Sequence, residues 1–168
     1  MIRPCTASDI PDIFAIVNDA ARAYQCVIPA DRWHEPYMPL VELREQINLG
    51  VEFWGYEENY RLVGVMGMQP VRDVTLIRHA YVRSAMRHRG IGGELLNHLL
   101  DRIEGRILVG TWQAADWAIR FYVKHGFQLV GEAEKNRLLG MYWQIPERQI
   151  ETSVVLVYNR SQSLSAKR

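Results

Sequence analysis

Apolar residues return at helical spacing near the start of the chain. Ile10, Ile13, Phe14, Val17 and Ala21 recur every three or four positions on an otherwise polar segment, which predicts an amphipathic helix. Thr6-Ala7-Ser8-Asp9 ahead of it has the form of a capping box, in which hydroxyl and carboxylate satisfy free backbone N–H groups. The helix is expected to run to about Tyr24, after a short strand at Ile2 to Pro4. A second helix is expected from Leu40 to Leu49, stopped by Gly50. Between the two, residues 25–39 hold three prolines together with Trp33, His34, Glu35 and Tyr37. The residue before a proline is pushed out of helical geometry, so this stretch reads as an aromatic-rich loop.

The pattern then changes. Val51 to Tyr56, Arg61 to Gln69 and Thr75 to Val82 read as strands, and the turns at Glu57-Glu58-Asn59 and Pro70 to Asp73 predict an antiparallel meander. A glycine-rich turn follows, then a helix carrying Leu95, Leu96, Leu99, Leu100 and Ile103 on one face and ending at Gly105. Arg106 to Thr111 reads as a strand. A helix from about Ala114 to His125 has a stripe of Ala118, Phe121, Tyr122 and His125, capped by Gly126. Strands near Phe127 to Ala133 and Ile150 to Tyr158 complete a mixed sheet covered on both faces. The joining stretch from Glu134 to Gln149, with Tyr142 and Trp143, is expected to face a ligand pocket or a partner subunit.

Composition narrows the classes. The 168 residues, 48% apolar and 23% charged, suit one domain over residues 1–160 with a polar, disordered tail at 161–168. The formal net charge is +1, from 20 basic and 19 acidic side chains, so no global field favours nucleic acid or a membrane surface. The short basic cluster Arg83, Arg87, His88 and Arg89 fits one ligand phosphate better than a nucleic-acid face. Cys5 and Cys26 form neither a disulfide framework nor a metal motif. No leader-like segment and no run of 18 apolar residues occurs, so a cytoplasmic protein without a metal is expected.

The candidate chemistry lies after the third strand of the meander. Arg87-His88-Arg89-Gly90-Ile91-Gly92-Gly93 opens a helix, where N–H groups and the helix dipole attract anions. Glycines let backbone approach a diphosphate closely. The turn has neither the P-loop ending nor the dinucleotide fingerprint. Taken alone, it could also be a plain strand-to-helix turn.

Arg87-x-x-Gly90-x-Gly92 resembles the Arg/Gln-x-x-Gly-x-Gly/Ala signature by which GNAT acetyltransferases hold the diphosphate of coenzyme A. About 30 residues on, Ala118 to Phe127 is similar to the second family signature, Ala-x-x-Phe/Leu-Tyr-x-Lys-x-Gly-Phe. The resemblance covers about residues 1–133. It implies a GNAT fold, a mixed α/β arrangement with a mostly antiparallel sheet of about seven strands and about four helices. It also implies an N-acetyltransferase that moves acetyl from acetyl-CoA to a primary amine of a small molecule or peptide by direct attack. The backbone of Tyr81 and Val82 would pair with the pantetheine arm, and N–H groups from Arg87, His88, Arg89, Gly90, Ile91, Gly92 and Gly93 would hold the diphosphate.

By the same resemblance Tyr122 is the general acid for the departing thiolate, since a phenol with a pKa of about 10 is protonated at neutral pH. Filling the helix stripe is its alternative role. A base must free the attacking amine. The family's glutamate position falls at Leu76, which leaves His79 as the nearest titratable candidate, with Glu35, His34 and Glu52 behind it. Ala115 stands where many members carry an asparagine. Trp33, His34, Glu35 and Tyr37 lie where the family builds its acceptor pocket, and could receive a cationic amine or simply pack on the core. Two other functions stay open: a non-catalytic acyl-CoA sensor, and a protein lysine or N-terminal acetyltransferase. A homodimer through residues 150–158 is expected from resemblance.

Overall fold

The computed structural model describes residues 1–160; the tail expected at 161–168 lies outside them. The described chain forms a seven-stranded sheet in the order β1-β2-β3-β4-β5-β7-β6. Its strands are β1 (Ile2–Pro4), β2 (Glu52–Glu58), β3 (Arg61–Val71), β4 (Val74–Val82), β5 (Arg106–Trp112), β6 (Gln128–Leu129) and β7 (Ser153–Asn159). The helices are α1 (Ile10–Ala20), α2 (Leu40–Asn48), α3 (Ile91–Leu100), α4 (Asp116–Lys124), α5 (Glu132–Tyr142) and α6 (Glu147–Glu151). The chain divides into two compact units, one of Met1–Gln69 with Ile77–Arg102 and one of Pro70–Leu76 with the residues from Ile103 onward.

In the first unit, β1, β2 and β3 pair antiparallel, with Arg3 opposite Gly55 and Phe53 opposite Gly67. The turn from β2 to β3 uses Asn59 and Tyr60, both left-handed, at φ 50° and 61°. Ile10, Ile13, Ile16 and Val17 of α1 pack with Leu43 of α2 and with Phe53, Leu62 and Val65 of the sheet. The start of this unit is fastened by charge. Arg3 donates to both Asp9 oxygens at 2.9 Å and to the Glu57 carboxylate at 2.8 Å. The Thr6 N–H donates to Asp9 at 2.7 Å, the carboxylate half of the expected capping box. Arg3, aided by Thr6, holds the Asp9 carboxyl down at about 2 against the opposing pull of burial.

In the second unit β7 lies between β5 and β6 and pairs antiparallel with both. Strand β5 pairs along the whole of β7, whereas β6 covers only Leu156 and Val157. Two sequence expectations need correcting here. The strand read over Phe127 to Ala133 is only Gln128–Leu129, because Gly131 caps the start of α5. The strand read from Ile150 begins at Ser153, and residues before it belong to α6.

The stretch read as a pocket wall or a subunit contact packs one face on this unit's own sheet. Leu138, Leu139 and Tyr142 of α5 join Val74, Leu76, Leu108, Val155 and Val157 in one apolar cluster, with Trp143 packed against it. The helix count is thus six α-helices among the described residues, where about four were expected.

Candidate functional site

The end of β4 is anchored before it reaches the glycine turn. The Arg83 N–H donates to the Val63 carbonyl at 2.8 Å, and its Nε donates to the Leu62 carbonyl at 3.0 Å. Its Nη2 lies 3.4 Å from the Asp12 carboxylate. The Ser84 N–H donates to the Asp19 carboxylate at 2.6 Å. Strand end, β3 and α1 are therefore held together through short polar links ahead of the 3-10 turn Ser84–Met86.

The turn itself then reverses hand. His88 has φ 62° and Gly90 has φ 81° with ψ 0°, and Gly90 is the N-cap of α3. A side chain at such a φ is strained, and glycine removes the strain. A Cβ on Gly90 would meet no atom within 4 Å, so the space beside this backbone is open. The first N–H groups of α3 have no partner inside the helix, and the dipole adds positive potential there. An anionic diphosphate fits that donor set.

Side chains take a smaller share of the turn's charge than the sequence suggested. Arg89 is bound to both Glu58 oxygens, at 2.8 and 3.1 Å. Arg83 is engaged as described above. Arg87 and His88 are exposed. Glu94 brings a carboxylate to the first turn of α3 and pushes the nearby Tyr56 phenol upward in pKa.

Within the same unit, the loop read as an acceptor wall is pinned at both ends. Ile28 and Met38 are buried. The Asn18 amide on α1 donates to the Met38 carbonyl at 3.0 Å and accepts from the Met38 N–H at 2.8 Å. Between those pins the rings form a row. Trp33 stacks on Tyr37 at 5.7 Å, and His34 lies 6.3 Å from Tyr37. Tyr37 reaches Tyr24 at 5.6 Å, and Tyr24 meets Tyr81 of β4 edge-on at 6.4 Å. Three of the four predicted acceptor residues are thus brought together and joined to Tyr81. Glu35 is exposed beside the row.

His79, the candidate base, has φ 53° in the middle of β4. Its ring stacks on Phe53 at 5.9 Å and its Nε2 is 3.5 Å from the Gln46 side chain. Although an edge of the residue stays accessible, its surroundings are dense. Desolvation, with a smaller push from the Arg78 charge, lowers the imidazole to about 3. It is a neutral ring at working pH, with little power to draw a proton from an ammonium group.

Residues 13–127 match the Acetyltransferase (GNAT) family. The chain belongs to this family. Membership makes the GNAT protein an acyltransferase. Among solved structures it resembles the PaiA N-acetyltransferase of Thermoplasma acidophilum in complex with coenzyme A, at 16% identity and a TM-score of 0.70, over 95% of this chain and 98% of that one. A GNAT acetyltransferase of Staphylococcus aureus Mu50 aligns at 18% identity and a TM-score of 0.69, over 95% and 98% of the two chains. The ribosomal-protein-alanine N-acetyltransferase of Brucella melitensis aligns at 22% identity and 0.66, over 95% and 99%. At these identities the likeness speaks for the GNAT fold. No curated protein matches the sequence.

In the second unit Tyr122 sits on α4 and is buried. Its ring meets Phe121 at 5.1 Å and Phe127 at 5.4 Å, both edge-on. The same residue therefore serves the packing of α4 that the sequence offered as an alternative to chemistry. Ala115, where many GNAT members have asparagine, is the buried N-cap of α4. No group of three or more metal-ligating side chains occurs among the described residues, and none of their helices is long and apolar enough to cross a membrane.

Sequence reasoning missed Tyr24 and Arg78. Tyr24 reads in sequence as a helix end, yet it links the loop to β4. Arg78 belongs to no motif; its one local signal is an arginine inside the run Thr75-Leu76-Ile77-Arg78.

Proposed function

We propose that this GNAT protein transfers acetyl from acetyl-CoA to the primary amine of a small molecule, as a single domain spanning residues 1–160. The observation that carries the reading is the left-handed turn at His88 and Gly90 opening α3, in a chain that belongs to an acetyltransferase family. Backbone N–H groups from Arg87 to Gly93 hold the diphosphate, and the Tyr81 and Val82 backbone pairs with the pantetheine arm as an added strand. Because Arg89 is committed to Glu58, the grip rests on backbone rather than on that guanidinium. The row Trp33, Tyr37, Tyr24 and Tyr81 favours a small acceptor, because aromatic faces attract cationic and apolar groups alike.

The amine nitrogen attacks the thioester carbonyl carbon, the C–S bond breaks, and the departing thiolate takes the Tyr122 phenolic proton. Tyr122 is then reprotonated from solvent. The nitrogen sheds its extra proton to water. Replacing Tyr122 by Phe is expected to lower turnover about 10- to 100-fold with CoA affinity unchanged. Unchanged turnover would remove Tyr122 as the acid.

The experiment is release of free CoA thiol from acetyl-CoA against amino acids, polyamines, aminoglycosides and lysine peptides, with a no-acceptor control. Release confined to one small-amine class supports the proposal. Release with lysine peptides alone would make the protein a protein acetyltransferase. CoA binding without release on any amine would make it an acyl-CoA sensor.

A further inference from the structure

Arg78 lies on β4, half-buried, three residues before Tyr81. Its Nη1 donates to the Gln69 side-chain oxygen at 3.0 Å. Gln69 is itself buried and is oriented by donating to the Leu49 carbonyl at 2.9 Å. Arg78 takes part in none of the ion pairs among the described residues. Burial works against its charge, while Glu42 on α2 and the Tyr81 phenol favour it.

A guanidinium does not neutralise itself in a protein, and it carries five N–H donors in a planar fork. A cation withdrawn from water without an anion is costly. Arg78 spends one donor on a neutral amide, and that amide fixes the rotation of the fork. What such a fork lacks is a carboxylate, bound through two parallel N–H bonds.

Its position says which carboxylate. Arg78 and Tyr81 share the second half of β4, and Tyr81 closes the aromatic row that runs back to Trp33. An acceptor seated against that row and carrying an acid group beside its amine would present the acid to this strand.

We propose that Arg78 is the anchor for a carboxylate on the acceptor, so that the substrates are amino acids or related amino-carboxylates rather than simple amines or polyamines. This inference rests on the reading of the protein as a small-amine acetyltransferase. Arg78 touches the acid group and takes no part in bond making. It acts on acceptor affinity and orientation.

Binding tests the proposal separately from turnover. Acetylated product pairs would be titrated calorimetrically into the CoA-bound protein: N-acetylphenylalanine with N-acetyl-2-phenylethylamine, Nα-acetyl-lysine with N-acetyl-1,5-diaminopentane, and N-acetylalanine with N-ethylacetamide. The carboxylate member of at least one pair is expected to bind about 10- to 100-fold tighter, the range of a charge-assisted bidentate bond. In Arg78→Met that preference should vanish while CoA affinity stays at the wild-type value. Should Arg78→Met fail to fold, Arg78→Lys keeps the charge but loses the fork, and it should reduce the preference at least several-fold.

Equal binding within every pair, no binding of any carboxylate member, or a preference that survives both substitutions would overturn the assignment. A carboxylate preference with no thiol release from acetyl-CoA would count against the acetyl-transfer reading and leave Arg78 as the carboxylate anchor.

Discussion

Replacing Gly90 by alanine separates what the turn costs the fold from what it gives the ligand. At φ 81° an alanine is strained, but its methyl would meet no atom within 4 Å, so the loss of stability comes from backbone alone, about 1 kcal/mol. For a domain of this length that is a fall in melting temperature of about 2–4 °C. Gly105 supplies the matched control. It has φ 84° and also leaves a Cβ nothing to touch within 4 Å, but it follows α3 rather than opening it. Gly105→Ala should lose the same stability without CoA.

The two variants part when CoA is added. If the backbone at Gly90 lies against the diphosphate, the methyl either intrudes on the ligand or forces the turn to a negative φ that redirects its N–H groups. Affinity should then fall at least about tenfold, which is about 1.4 kcal/mol. CoA at about 100 times its dissociation constant stabilises the wild type by about 2.7 kcal/mol. In CoA, Gly90→Ala should therefore trail the wild type by about 2.3 kcal/mol and Gly105→Ala by about 1 kcal/mol. The assay is thermal unfolding of the three proteins across a CoA titration. Parallel behaviour of the two variants in CoA would refute the turn as the diphosphate cradle.

The Arg3 and Asp9 pair makes a second prediction, on stability against pH. The Asp9 side chain is 11% exposed and its carboxyl is lowered from 3.8 to about 2. Its contribution, about 2 kcal/mol, is fully present above pH 4 and is lost as pH falls from about 4 to about 2. Denaturant midpoints across that window should show the loss in wild type and a flatter course in Asp9→Asn; identical courses would dismiss the clamp. For catalysis, His79 at about 3 should leave no inflection between pH 6 and 7 in kcat/KM. The profile should instead follow the ionisation of the acceptor amine, and a change in its shape in His79→Gln would restore His79 as the base.

The elements that periodicity and turn chemistry announce are the ones whose buried faces are chemically uniform. α1 and α3 fall in this class, since each carries an unbroken apolar stripe. α5 escaped notice because its buried positions are Lys135, Leu138, Leu139 and Tyr142. The spacing is helical, but a lysine opens the stripe. Its burial is tolerated because the ammonium donates to the Ile150 carbonyl at 3.0 Å, a partner fifteen residues on that no local pattern reveals. The short β6 was overread for a related reason: Val130 continues the apolar run, and only the cap at Gly131 ends the strand.

The candidate site divides along the same line. A glycine turn before a helix stripe is local, so its residues stand out in sequence, whereas the left-handed φ at Gly90 is visible only in the folded backbone. The engagement of Arg89 by Glu58 and the distance ladder from Trp33 to Tyr81 depend on residues 31 and 48 positions apart. Whether Arg78 is paired, and whether His79 is wet, are questions of burial and partners, which no motif encodes.

β4 ties these points together. Its first half buries Val74, Leu76 and Ile77, but from Arg78 to Val82 every residue is half-buried, and the usual alternation of faces is lost. The break falls at His79, whose left-handed backbone costs about 1 kcal/mol or more for a residue with a Cβ. Gly67 on β3 accommodates it, since a Cβ there would lie 2.9 Å from the Arg78 carbonyl. Such strain persists only where surrounding structure enforces it, and here the stacking of His79 on Phe53 and the tie from Arg78 to Gln69 do so. In a regular strand Arg78 and Tyr81 would point to opposite faces. A kinked one removes that constraint, which is the condition for an acid-binding side chain and an aromatic wall to serve the same acceptor. His79 is then a structural requirement of the proposed site, acting through the shape of the strand.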